Sequence, residues 1–365
     1  MSTSPNLPGQ DLLFRFAEAR VRSVSVLTAI VVVMNRYLLP TRSLSRVGTD
    51  RNHTDRGADG SVADVLARSG TRIFFCHRGS LLVSREGLHM FSLADLKPHW
   101  DKLTGTRVYI GRSGAADLVA LLLDDAGRST ADSAVLDDSA ASADDFLLAP
   151  AAGAAMDDPT WVDLRALAAE LSDADIDAAT TAVALDNWHR THTHSPRTGD
   201  PTVPSAGGWV RVDPAAGTEH FPRTDPAVIT AVLHTDDSGT ERILLGNNAL
   251  WPEGRYSLLA GFVEPGETLE QAVRREVQEE SNIDCDTIRY LGSQPWPFPC
   301  SLMLGFAARA RSATITADGC EIADVKWFSR DDIASATADG SLSLPGEVSI
   351  AGQIISAWMN GEQLL

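Results

Sequence analysis

In the stretch GFVEPGETLEQAVRREVQEESNI, Gly261 to Ile283, the glutamates Glu276, Glu279 and Glu280 stand at i, i+3 and i+4. On a helix that spacing puts their carboxylates on one patch of surface, where they repel one another unless a counter-charge is present. Hard divalent ions such as Mg2+ or Mn2+ supply that charge, because they prefer oxygen ligands and are typically held by one or two carboxylates, waters and substrate phosphates. A diphosphate joined to such ions is polarised, and a water activated by metal or carboxylate can attack its phosphorus. The helix itself is legible. Pro265-Gly266 makes a turn, Thr268 with Gln271 has the form of a capping box, and Leu269, Val273 and Val277 form an apolar stripe at i, i+4 and i+8. Asn282 suits the left-handed residue that ends a helix. Arg275 is placed to orient Glu267 and keep the carboxylates in register. The plainer reading of such a run is a solvated acidic helix with arginines for i, i+4 pairing.

A second array, SQPWPFPCSLMLGF, occupies Ser293 to Phe306. Pro295, Pro297 and Pro299 each fix their own backbone angle and restrict the residue before, so they should hold Trp296 and Phe298 in a stiff extended segment. A flat ring such as a base can stack on such rigid faces, with Gln294 and Ser301 hydrogen-bonding its polar edge. Without the acidic helix upstream, the same array would read as a proline-rich loop whose aromatics plug a core.

Gly261, Glu267, Arg275, Glu276, Val277, Glu279, Glu280 and Ile283 fit the Nudix box, G-x5-E-x7-R-E-U-x-E-E-x-G-U with U aliphatic, and Asn282 stands where the pattern has its last Gly. Box, second array and spacing together resemble the NADH pyrophosphatase family of Nudix hydrolases, well over residues 160 to 365 and loosely over 43 to 150. The resemblance implies hydrolysis of the diphosphate of NADH or NAD+ to nicotinamide mononucleotide and AMP. It implies Mg2+ or Mn2+ held by Glu276, Glu280, Glu321 and the carbonyl of Ala260, with Glu279 as the candidate water-activating base. It places substrate against Phe221, Phe262, Ala351 and the run Gln294, Pro295, Trp296, Pro297, Phe298, Pro299, Cys300 and Ser301, Cys300 filling a variable position. Family members are homodimers. The alternatives are removal of NAD caps from RNA 5′ ends, a broader ADP-ribose or dinucleotide hydrolase, and a non-catalytic NAD sensor.

The family also carries two CxxC pairs that form a zinc ribbon ahead of the catalytic domain. Here Ser195, Thr198, Asp213 and Ala216 stand at those positions, so zinc is expected to be absent and the segment held by packing and turns. His189, His192, His194 and His220 lie near one another in sequence without paired-ligand spacing. Cys76, Cys285, Cys300 and Cys320 form no CxxC and read as reduced thiols of a cytoplasmic protein.

The chain has 365 residues and a formal net charge of -18. Such acidity argues against a surface built for generic nucleic-acid or anionic-membrane adhesion, while bound cations would invert the sign locally at a phosphate site. The expected fold is α+β: a Nudix α/β/α sandwich with a mixed sheet over 225–365, preceded by a smaller α+β domain. That domain, with an acidic linker, covers 43–158; a helical connector covers 159–192 and the degenerate ribbon 193–224. The apolar runs TRIFFCHRGSLLVS and RVYIGR suggest strands, the Asp, Ala and Ser content of 123–158 suggests a loop, and Trp161 to Trp188 has helical periodicity. Residues 1–42 are expected to be a disordered extension. The apolar run ending at Met34 is too short to span a bilayer, and Met34 is the expected natural start.

Overall fold

The computed structural model describes residues 44–56, 61–136 and 159–365. The expected extension 1–42 and residues 137–158 of the expected linker lie outside those residues.

Apolar and β-branched residues dominate β1 (Arg72–His77) and β2 (Ser80–Ser84). These strands pair as a hairpin through Arg78 and Gly79, whose φ values of 49° and 82° suit a two-residue primed turn. With β3 (Gly87–Leu88), β4 (Gly105–Ser113), β5 (Ala116–Leu123) and β6 (Thr160–Asp163) they form a sheet ordered β3-β2-β1-β5-β4, with β6 on β2.

Two expectations need correction here. Residues 125–136, read as part of a loop, form helix α1 (Asp125–Leu136). Asp124 starts it by accepting the Gly127 N–H at 2.8 Å, Arg128 pairs with Asp132 one turn on, and the alanines favour helix. Residues 160–163, read as helix, form β6 because Trp161 and Val162 pair with β2. Asp163 then accepts the Arg165 N–H and begins the short α2 (Leu164–Leu167), after which Ser172 caps α3 (Asp173–Thr191). Helix α3 packs on the first sheet, with Ile176, Ala179 and Val183 in the same core as Phe74, Val108 and Ala120.

A small sheet of β7 (Val203–Ser205), β8 (Val210–Asp213) and β9 (Thr218–His220) follows. Then come β10 (Asp225–Thr235), β11 (Glu241–Asn248), β12 (Leu259–Phe262), β13 (Cys285–Trp296), β14 (Ser301–Ala310) and β15 (Ile322–Phe328), ordered β13-β14-β10-β11-β15 with β12 on β10. The sheet is mixed: β10 and β14 run parallel, and the other pairs are antiparallel. Strand alternation decides what covers each face. Leu304 and Phe306 join Val273 and Val277 of α4 (Leu269–Ser281) in one core. Gly305 between them faces the other way, where an added Cβ would meet Ile350 and Ile354 of the terminal helix α6 (Ile350–Met359) at 2.9 Å. The result is a helix, sheet, helix sandwich, completed by α5 (Arg330–Ala338) after β15. None of the described helices is long and apolar enough to cross a membrane.

Candidate active site

Helix α4 carries the box residues, and its ends are fixed as its sequence suggests. The Thr268 hydroxyl accepts from the Gln271 N–H while the Gln271 side chain accepts from the Thr268 N–H, and Asn282 closes the helix at φ 60°, ψ 23°. Buried Ala272, Val273 and Val277 seat it on the sheet. Arg275 then acts as a hub. Its guanidinium donates to both carboxylate oxygens of Glu267 at 2.7 and 2.9 Å, to Glu276 at 2.7 Å, to Glu279 at 3.3 Å and to the carbonyl of Phe262 at 2.8 Å. The hydrogen bonds from Arg275 hold the Glu267 carboxyl down at about 2, so Glu267 stays ionised and keeps the arginine fork fixed.

The two glutamates nearest the sheet behave differently. Glu276 lies so close to Gly261 on β12 that an added Cβ there would sit 2.0 Å from its carboxyl carbon, which explains the glycine. Burial pushes the Glu276 carboxyl above the usual range, with Arg275 opposing. Glu280 is 5% exposed, and one of its carboxylate oxygens, Oε2, is buried without a hydrogen-bond partner. Burial, with the negative charges of Glu276, Glu321 and Asp318 nearby, pushes it up to about 8, against a backbone hydrogen bond at Ala260. Asp318 shapes the approach of Glu321 by accepting the N–H groups of Cys320, Glu321 and Ile322. Asp318 was not foreseen; the Asp-Gly pair it forms with Gly319 is a turn signal that could have drawn notice.

Beside these carboxylates lies a cleft of ≈ 710 Å³ that crosses the sheet from the β13 edge to the β11 and β15 edge. Ala260, Glu280, Gln294, Trp296, Glu321 and Ala351 all line it. So do Arg165, Asn248, Trp251 and Arg255, which the sequence reading missed. Arg165 is distant in sequence from the other three, which follow one another closely at the end of β11 and in the loop after it, and none of the four carries a motif that marks it.

Several foreseen residues have structural partners of their own. Gln294 is fully buried, and its amide is taken up by backbone: Nε2 donates to the Val348 carbonyl at 2.8 Å and Oε1 accepts the Ile350 N–H at 2.7 Å. While lining the cleft, it ties the segment leading into α6, and hence Ala351, to β13. The proline array is not one extended segment. Pro295 and Trp296 belong to β13, paired with Leu302 and Ser301, and the chain reverses over Pro297 to Cys300 with a cis Phe298-Pro299 bond. The ladder with β14 accounts for the difference. Phe298 packs edge-on against Trp296, lies under the Arg165 guanidinium at 4.0 Å and touches the core around α3. Asn187 of α3 donates to the carbonyls of Pro297 and Pro299, so the turn is clamped by the first domain. Pro295, Pro297, Phe298, Pro299, Cys300 and Ser301 do not line the cleft, and the Cys300 thiol faces Asp225 at 3.3 Å. Phe221 and Phe262 are 64% and 57% exposed and also stand outside it.

At the degenerate ribbon, Asp213 bridges the two turns. It accepts from the Thr198 hydroxyl at 2.7 Å and from the Ala215 and Ala216 N–H groups, while the Ser195 hydroxyl accepts from Arg197 and Thr198 N–H. His189 is occupied by the Gly208 carbonyl and by Arg211, and burial pushes it down to about 4.

A mixed sheet between helices, with a glutamate-bearing helix against a glycine on the adjoining strand, defines a Nudix domain, and residues 224–344 match the model of the NUDIX domain. Residues 70–188 match the NADH pyrophosphatase-like rudimentary NUDIX domain. The second half of the chain is thus similar to a full Nudix domain and the first half to the rudimentary one of NADH pyrophosphatase-like proteins. It is 46% identical over 207 residues to the NAD-capped RNA hydrolase NudC of Mycobacterium bovis, covering 54% of this chain and 64% of that one. It is 40% identical over 183 residues to the human NAD-capped RNA hydrolase NUDT12, covering 47% and 39%. The match thus spans less than two thirds of the length of these relatives.

Proposed function

We propose that this protein is a divalent-metal-dependent diphosphatase that splits NADH or NAD+ into nicotinamide mononucleotide, reduced or oxidised, and AMP. The observation that carries the reading is the unpartnered, buried Glu280 oxygen, set beside Ala260, Glu276 and Glu321 at the cleft that Trp296 lines. A carboxylate held in that state asks for a cation. Mg2+ or Mn2+ prefer oxygen ligands and keep waters and substrate oxygens among them, and Glu276, Glu280, Glu321 and the Ala260 carbonyl would supply the protein's share. When bound, the ion polarises the diphosphate and lowers the pKa of water.

The chain's own residues supply the rest. Water adds to one phosphorus, the bridging P–O bond breaks, and each product leaves with a terminal phosphate. Glu279 is the candidate to take the water's proton, since it is largely exposed and held only by Arg275. Trp296 offers a face for a flat ring, and Arg165, without an acidic partner among the described residues, offers its guanidinium to the phosphates. The exposed rings of Phe221 and Phe262 are part of the proposal as ring contacts, in a homodimer located in the cytoplasm. The names of the relatives support a second substrate, NAD joined to the 5′ end of RNA.

The test is to incubate the protein with NADH and Mg2+ or Mn2+, beside Glu279→Gln and Glu280→Gln. Equal activity in all three removes the site, and no activity in any favours an NAD sensor. Turnover of NADH, ADP-ribose and NAD-capped RNA then ranks the substrates.

A further inference from the structure

Two arginines of the cleft share an arrangement. Arg165 rests on Phe298, and the Arg255 guanidinium lies 5.0 Å from the ring centroid of Trp251. Arg165, from the first domain, and the Trp251–Arg255 pair, from the loop after β11, line the same cleft. Among the described residues neither arginine has an acidic partner, although the chain holds 49 acidic against 31 basic residues and most of its other clustered arginines are ion-paired. Stacking on an aromatic face restrains a guanidinium while leaving its N–H fork free for a phosphate.

The loop that carries Arg255 is built to hold it. Asn247 donates to the carbonyls of Pro252 and Arg255 at 3.1 and 2.7 Å. Gly254, at φ 81°, lets the chain approach Ser341, and Ser343 donates its N–H to the Gly254 carbonyl. The Ala249 N–H bonds the Glu321 carbonyl, which joins this loop directly to a carboxylate of the proposed cation site. Trp251 is half-buried and Arg255 exposed, so the pair presents a fixed ring and a free cation at the mouth.

We propose that Trp251 and Arg255 form a second phosphate-binding arm of the cleft, in addition to Arg165. This rests on the hydrolase reading above and deepens it, because it bears on how many phosphates the substrate presents. The phosphoryl group has two sources: the diphosphate of the dinucleotide, or a further phosphate on the ribose of the adenosine, as a polynucleotide extension carries.

Calorimetric binding of AMP and of adenosine 3′,5′-bisphosphate to the wild type, Arg255→Ala, Arg255→Lys and Trp251→Ala separates them. Loss of about 5- to 20-fold in affinity for the bisphosphate alone in Arg255→Ala, partly kept in Arg255→Lys, places the arm on the additional phosphate. Equal loss for both ligands places it on the 5′-phosphate. Unchanged affinities in Arg255→Ala and Trp251→Ala, including no binding by any protein, overturn the arm. NADH turnover is measured alongside, where Arg255→Ala should raise KM and leave kcat within about 2-fold. Wild-type turnover with unchanged affinities and KM in the variants sinks the arm alone; no turnover with the arm's effect intact sinks the hydrolase reading alone.

Discussion

Replacing Glu280 by Gln should inactivate the protein and at the same time stabilise its metal-free fold. The Glu280 carboxyl is raised from 4.5 to about 8 by burial and by its acidic neighbours. A rise of that size disfavours the charged form by roughly 4–5 kcal/mol, and relaxation of neighbours and water leaves about 2–4 kcal/mol to be gained. The sign follows from proton counting. Between about pH 4.5 and 8 the folded state binds more protons at this position than the unfolded chain, so wild-type stability falls as pH rises through that window. Glu280→Gln lacks this loss. Urea denaturation in the presence of a chelator at pH 5, 6.5 and 8 should show the variant's advantage growing from near zero. Added Mg2+ should then raise the stability of the wild type and not of the variant. A variant less stable than wild type at pH 8 in chelator, or an advantage independent of pH, refutes the reasoning.

Gly261→Ala should lower kcat about 10²-fold or more with little change in far-UV circular dichroism, because the new methyl displaces the Glu276 carboxylate from β12; wild-type kcat would show that Glu276 tolerates displacement. Gln294→Leu should destabilise by about 2–4 kcal/mol by orphaning the Val348 carbonyl and Ile350 N–H, and should raise KM more than it lowers kcat. Denaturation curves and NADH kinetics read both, and unchanged stability would return Gln294 to the substrate. Asp213→Ala should lower Tm, and chelators should leave the wild-type Tm of the ribbon segment alone; a chelator-sensitive ribbon would show that a metal, not Asp213, joins its turns.

The Nudix layer is legible because each of its signals is local. A capping box, an apolar stripe and a left-handed Asn all act within α4, and alternating strands announce themselves over a few residues. The carboxylate cluster shares this property, since helical spacing alone gathers Glu276, Glu279 and Glu280. Its asymmetry does not: Glu280 is buried and Glu279 exposed only because of where Ala260 and the sheet lie. The rest of the cleft depends on tertiary placement. Arg165 comes from the first domain and Trp251 and Arg255 from a loop, and nothing near them in sequence points to a phosphate. The backbone ties of Gln294 were hidden for a related reason, because a polar side chain in a substrate-like array can also hold backbone from 54 residues away. Composition misled at α1, where Asp and Ser look like loop until Asp124 and the Arg128–Asp132 pair are seen to support a helix.

The most direct measurement is phosphorus NMR of NADH incubated with the protein and Mg2+ or Mn2+, beside Glu280→Gln. The diphosphate signal should give way to two phosphomonoester signals, from AMP and reduced nicotinamide mononucleotide, with the wild type and stay intact with the variant. A persistent diphosphate with the wild type, or equal conversion by both proteins, contradicts the hydrolase reading.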